Sequence, residues 1–140
     1  MQSDAVEVRI SGAGIVGSAL ALALSRQGLS VAHQAFSAAL RREGDDVRAY
    51  ALNAASVALL DELRVWPALA ADARTAVYDM RVAGDAAAAV LRFSAWQQHA
   101  RELAWIVDAG ALEAELANAL RYAPHVQRVV EPVSAALTVI

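Results

Sequence analysis

The chain has no cysteine and no lysine, and only three prolines in 140 residues. Without cysteine it can form neither a disulfide framework nor a thiolate metal site. All twelve basic residues are arginines, scattered from Arg9 to Arg128 with no run beyond Arg41–Arg42. That leaves no basic stripe to track a phosphate backbone, and no nucleic-acid partner is expected. Long hydrophobic runs are also missing. The longest, residues 15–25, is about half of the ~20 residues that span a bilayer. A transmembrane segment is not expected, although peripheral membrane contact stays open. The opening residues, Met1-Gln-Ser-Asp-Ala-Val-Glu7, lack the basic region and apolar run of a signal peptide, so a cytoplasmic protein is expected.

What the chain does contain is apolar: 58% hydrophobic residues, with a net charge of -3. About a quarter of all residues are Ala, so the larger aliphatics, mostly Leu and Val, must supply the interior. This composition excludes intrinsic disorder. The length suits one domain, or one with a fragment of a second.

The first 36 residues carry the most information. Val6-Glu-Val-Arg-Ile10 alternates as a strand, Gly12-Ala-Gly-Ile-Val-Gly17 follows at once, and an Ala/Leu-rich helix is predicted over 14–27. Gly28 falls where a helix C′ residue would, and residues 29–36 read as a second strand. This β–α–β order with glycines at the first turn is the dinucleotide-binding layout. Three glycines so spaced occur by chance in roughly one chain in twenty of this length, so their placement between strand and helix carries the signal. Gly12 permits a tight turn, Gly14 lets the backbone approach a pyrophosphate, and Gly17 lets the helix pack closely on the sheet. The helix N-terminus would present N–H groups and the positive dipole end to the phosphates.

A carboxylate about 20 residues beyond the glycines would accept hydrogen bonds from the adenosine ribose. Here the spacing lands on Ala35, between Gln34 and Phe36, and no Asp or Glu occurs between Glu7 and Glu43. Loss of a charge-assisted bond of ~1.5–3 kcal/mol weakens binding roughly ten- to a hundredfold. Gln34 could offer an amide oxygen, but it alternates to the other strand face from Ala35.

Residues 37–46 are polar and read as a loop. Asn53 is a good N-cap for a helix through about Arg64, and 67–73 suits a short helix opened by Pro67. Residues 77–82 and 90–93 read as strands around a turn at Gly84-Asp85, and 103–107 as a third. The change to strand pairs suggests a fragment of a second domain over 76–107, with 1–75 and 108–140 forming the first. Asp108 caps a helix through about Tyr122, followed by strands at 126–130 and 133–140. The fold class is thus α/β, a Rossmann-like β–α–β unit with a partial, mostly β insertion. Trp66, Trp96 and Trp105 are expected in core or interdomain packing.

Taken in order, Ile10-Ser-Gly-Ala-Gly-Ile-Val-Gly17, Asp46-Val-Arg-Ala-Tyr-Ala-Leu52, Leu59-Leu-Asp-Glu-Leu-Arg-Val-Trp66, Tyr78-Asp-Met-Arg-Val82 and Leu103-Ala-Trp-Ile-Val-Asp108 resemble the flavoprotein aromatic-ring hydroxylases. The similarity is greatest to the ubiquinone-biosynthesis branch, which acts on polyprenyl phenols. The resemblance implies FAD bound by Gly12, Gly14 and Gly17, an arginine at Arg48 contacting the FAD phosphates or ribityl chain, and a backbone contact to adenine at Val133. It also implies reduction by NAD(P)H and oxygen-dependent hydroxylation of a small aromatic substrate. A guanidinium is a bidentate phosphate partner, in keeping with the role implied for Arg48. The family's ribose-binding acid falls on Ala35, and weakened FAD binding is expected. Its second FAD motif, a Gly-Asp segment, lies beyond position 140, as does most of the substrate pocket. The chain is therefore expected to be the N-terminal portion, inactive alone, and to pair as a homodimer through exposed strand edges.

No metal site is expected, because His33, His99 and His125 have no ligand spacing. No catalytic residue is assigned. Two other readings stay open: a fragment of an NAD-dependent dehydrogenase, and a degenerate Rossmann-like fragment that binds nothing or serves as an interaction module.

Overall fold

The computed structural model describes residues 6–34, 47–86 and 89–140. The expectations placed on Ala35, Phe36, the 37–46 loop and part of the Ala86 to Ala89 patch lie outside these residues.

In chain order the elements are β1 (Val6–Ser11), α1 (Ile15–Arg26), β2 (Val31–Gln34), β3 (Ala49–Leu52), α2 (Ala54–Glu62), β4 (Arg74–Val77), β5 (Asp79–Ala83), β6 (Val90–Ser94), β7 (Ala104–Asp108), α3 (Ala109–Arg121), β8 (Val126–Val129) and β9 (Ala135–Val139). They pack as two units, Met1–Asp46 with Leu112–Ile140, and Val47–Ala111.

The first unit is built on a four-stranded parallel sheet in the order β8-β2-β1-β9. Val6, Val8 and Ile10 alternate onto the buried side of β1, and the inner strand β2 buries Val31, Ala32 and His33. Such a run of buried residues is what a parallel sheet demands of its inner strands. Helix α1 buries Ser18, Ala21, Leu22 and Ser25, a stripe at helical spacing. It ends as the sequence predicts. Gly28 takes φ +83°, and the bonds from Gly28 N to Ser25 O and from Leu29 N to Leu24 O form a Schellman cap. In α3, Leu112, Leu116 and Leu120 are buried, the face expected from their spacing.

In the second unit, β3, β7 and β4 form an antiparallel sheet, and β5 with β6 forms a hairpin. Asn53 caps α2, its Oδ1 accepting from Ser56 N at 2.9 Å, and Asp108 Oδ1 accepts from Ala111 N at 2.7 Å in the first turn of α3. The predicted single strand over 77–82 is instead two. Residues up to Val77 pair with β7, and from Asp79 the chain pairs with β6, so Tyr78 is the switch between partners. The short helix expected over 67–73 is two separate 3-10 turns, Trp66–Ala68 and Ala71–Ala73, interrupted by extended Leu69 and Ala70. Trp66 meets Trp105 edge to face at 5.2 Å, and Arg74 lies 4.6 Å over the Trp66 ring. Trp96, expected in packing, is 89% exposed because it falls in the turn after β6 rather than on a strand.

The α/β class read from the sequence is therefore the class observed: a parallel sheet with additional antiparallel strands. Among the described residues no helix is long and apolar enough to cross a membrane.

Candidate nucleotide-binding turn

The site is the connection between β1 and α1. The β1–β2 ladder carries one residue past its last paired strand positions, with Gly12 N donating to Gln34 O at 3.1 Å. The chain then turns at once. Gly12 takes φ +136°, a conformation that side chains exclude. Gly14 is extended and occupies the N-cap of α1, where Ser18 N donates to its carbonyl at 2.9 Å. No side chain caps the helix, and its first turn carries no acidic residue. The first-turn N–H groups therefore lie open at the positive end of the dipole.

The glycines differ in their surroundings. A Cβ at Gly17 would collide with the carbonyl of Gly12, so the absence of a side chain there is what lets the helix close onto the turn. A Cβ on Gly14 would meet nothing within 4 Å: here the missing side chain leaves open space. The turn thus combines open space at Gly14 with an uncapped helix N-terminus.

A fourth participant is one that sequence reasoning missed. His33, on β2, is 3% exposed, and its Nε2 lies 2.9 Å from the Gly12 carbonyl oxygen. The other ring nitrogen, Nδ1, is buried without a partner. Burial holds the pKa of His33 below the ordinary histidine value, the Gly12 bond opposes this, and Arg128 on the neighbouring strand adds to the lowering. Both faces of β2 are buried, and period-two alternation puts His33 on the same face as Val31, opposite Ala32.

The remaining sequence-predicted residues are placed as follows. Val133 is half-buried, and its carbonyl accepts from Arg9 Nη1 at 3.3 Å. Arg48 belongs to the second unit; its guanidinium lies 5.9 Å from the Tyr50 ring centroid and its carbonyl accepts from Ala109 N. The structure brings Gly12, Gly14 and Gly17 together in one turn. The last described residue of β2 is Gln34, whose Nε2 donates to the Val130 carbonyl at 3.1 Å, while Ala35 is outside the described residues. Among the described residues no cluster of His, Asp or Glu could hold a metal ion.

No protein-family model matches the chain, and no curated protein matches it. Solved structures do. PqsL, a probable FAD-dependent monooxygenase from Pseudomonas aeruginosa, matches over 91% of this chain with a TM-score of 0.68 and 21% identity. The fold is one that flavin-dependent monooxygenases share. p-Nitrophenol 4-monooxygenase PnpA from Pseudomonas putida matches over 90% of this chain, with a TM-score of 0.65 and 17% identity. The flavin-dependent monooxygenase PieE, solved with FAD and substrate, matches over 93%, with a TM-score of 0.58 and 20% identity. This chain spans only part of each: 33% of PqsL, 32% of PnpA and 24% of PieE.

Proposed function

We propose that this chain is the FAD-binding portion of a flavin-dependent monooxygenase that hydroxylates an aromatic ring. The observation that carries the reading is the β1–Gly12–Gly14–Gly17–α1 turn. It lies in a parallel sheet whose fold is shared with flavin-dependent monooxygenases over nine-tenths of the chain. Open space at Gly14 and the uncapped helix end fit a doubly charged pyrophosphate. In this reading Gly12 and Gly14 admit the pyrophosphate, Gly17 seats the helix behind it, Arg48 pairs with phosphate or ribityl oxygens, and the Val133 backbone lies toward adenine. When bound, FAD would supply the redox chemistry, passing electrons from NAD(P)H to oxygen.

PqsL has been solved with 2-aminobenzoylacetate and PnpA is named for p-nitrophenol. Both compounds carry a substituted benzene ring, which supports an aromatic substrate, and the sequence resemblance favours a polyprenyl phenol. A Gln34 amide and Ala35 in place of a ribose-binding carboxylate support weakened FAD affinity. Turnover is proposed to need the part of the fold that the matched flavoproteins have and this chain does not. The protein is proposed to be cytoplasmic, and exposed apolar residues, Met80, Val82, Leu91 and Phe93 on one face of the hairpin and Leu137 on β9, support peripheral membrane contact and pairing with a second copy.

The test is an FAD titration of the purified protein, following flavin fluorescence, with the Gly14→Val variant and NAD as controls. Saturable FAD binding that Gly14→Val removes supports the reading. No binding at about millimolar FAD, or preference for NAD, overturns it.

A further inference from the structure

The contact between His33 and the glycine turn is assigned no role by the reading above. His33 Nε2 lies 2.9 Å from the Gly12 carbonyl oxygen, and a carbonyl only accepts. The Nε2 atom must therefore carry the proton that makes this bond. Its partner nitrogen Nδ1 is buried with nothing to donate to or accept from. Burial disfavours the charged ring and so does Arg128, so the imidazole is neutral at physiological pH with its single proton on Nε2. No ionisable residue of β1 or α1 shares this face: β1 offers Val8 and Ile10 there, and α1 has none between Ile15 and Ser25.

The geometry of the peptide carries the consequence outward. The Gly12–Ala13 bond is trans, as are all those among the described residues, so its C=O and N–H point in opposite directions. The carbonyl is directed to the buried His33 ring and against Gly17. The Ala13 N–H is thereby turned away from the interior, on a residue that is exposed. A glycine at φ +136° does not itself fix the orientation of the next peptide, so the His33 bond and the packing of Gly17 are what hold it. A flip would aim the carbonyl oxygen, with its negative partial charge, at the place where the N–H now stands.

We propose that His33 is the positioning residue of the turn, holding the Gly12–Ala13 peptide so that the Ala13 N–H faces an incoming pyrophosphate. The inference rests on the nucleotide-binding reading for its ligand, while the peptide orientation can be observed without one.

Two substitutions separate positioning from packing. His33→Gln keeps an N–H donor of similar reach, whereas His33→Leu keeps a well-packed buried strand residue without a donor. If His33 positions the turn, His33→Leu weakens FAD binding roughly five- to tenfold, the worth of one hydrogen bond, and His33→Gln restores it to near the wild-type value. If His33 only fills space, the order is reversed: Leu binds FAD like the wild type and Gln binds worse, which overturns the proposal. The ligand-free readout is NMR. The orientation of the Gly12–Ala13 peptide, read from residual dipolar couplings of the Ala13 and Gly14 amides, should be the same in His33→Gln as in the wild type and should change in His33→Leu. Unchanged couplings in His33→Leu overturn the proposal whatever FAD does. If the wild type binds no FAD but the couplings follow the donor, the FAD reading falls and the positioning of the turn by His33 stands.

Discussion

Gly17 packs against the carbonyl of Gly12 with no room for a Cβ between them. The same carbonyl accepts the His33 N–H from the opposite strand, so the turn is fixed from two sides. One contact needs an absent side chain and the other a buried one. The first prediction follows from the crowding. Gly17→Ala puts a methyl group against backbone, which cannot rotate away. Overpacking of a tight contact costs about 1–3 kcal/mol, and the ~1 kcal/mol that Ala gains over Gly within a helix offsets only part of it. Thermal denaturation should place Gly17→Ala several degrees below the wild type. An unchanged melting temperature would mean that α1 shifts freely on the sheet.

Gly14 makes the opposite case. Its φ of -76° suits any residue and its side-chain direction is open. Gly14→Asp therefore supplies an N-cap that α1 lacks and a negative charge at the positive end of the dipole, together worth a few tenths of a kcal/mol or more in stability. The same carboxylate occupies and repels the place proposed for pyrophosphate. The expected result is a melting temperature at or above that of the wild type, with FAD binding abolished. A stable variant that still binds FAD would remove the pyrophosphate from this turn.

The contrast between these glycines explains how much of the site was legible in sequence. The placement of Gly12, Gly14 and Gly17 between a strand and a helix of strong periodicity located them, and Gly28 was found because a Schellman cap is a local motif. His33 was invisible as a contact of Gly12, since that contact exists only once β1 and β2 pair in parallel with Ile10 beside His33. Strand β3 escaped for a similar reason: Ala-Tyr-Ala-Leu has little intrinsic strand preference, and its extended form is set by pairing with the distant β7. The break at Tyr78 lies inside an uninterrupted strand-like run, and only the change of partner from β7 to β6 marks it.

A third prediction concerns strain away from the site. Helix α2 ends in the same type of cap as α1, with Arg64 N donating to Asp61 O and Val65 N to Leu60 O. Here the left-handed position is held by Arg64, at φ +60°, rather than by glycine. The buried pair Val65 and Leu60 compels the turn despite the penalty, about 1–2 kcal/mol for a residue with a Cβ. Arg64→Gly relieves this at the cost of a more flexible unfolded chain, ~0.4–1 kcal/mol. A net gain of about 0.5 kcal/mol is expected in urea denaturation, and a loss would mean that Arg64 makes a compensating contact.

The last prediction is a pH dependence of stability. In the unfolded chain His33 titrates near the ordinary histidine value of 6.5, and in the folded chain its pKa is lower, chiefly through burial. Well above pH 6.5 the ring is neutral in both states and adds no pH dependence. As the pH falls below that value, the unfolded chain takes up a proton that the folded chain refuses, so stability falls, by at most about 1.4 kcal/mol per pH unit for one proton. Once the pH passes the lowered folded value, both states are charged and the slope disappears. Carboxylates, His99 and His125 are common to the wild type and His33→Gln, so the difference between the two isolates His33. Denaturation midpoints measured from about pH 8 to about pH 5 should run together at the alkaline end and diverge as the pH approaches and passes below 6.5, with the wild type losing stability faster. Parallel curves over that range would mean that His33 accepts its proton in the folded state as readily as in water, and that its ring is not confined beside Gly12.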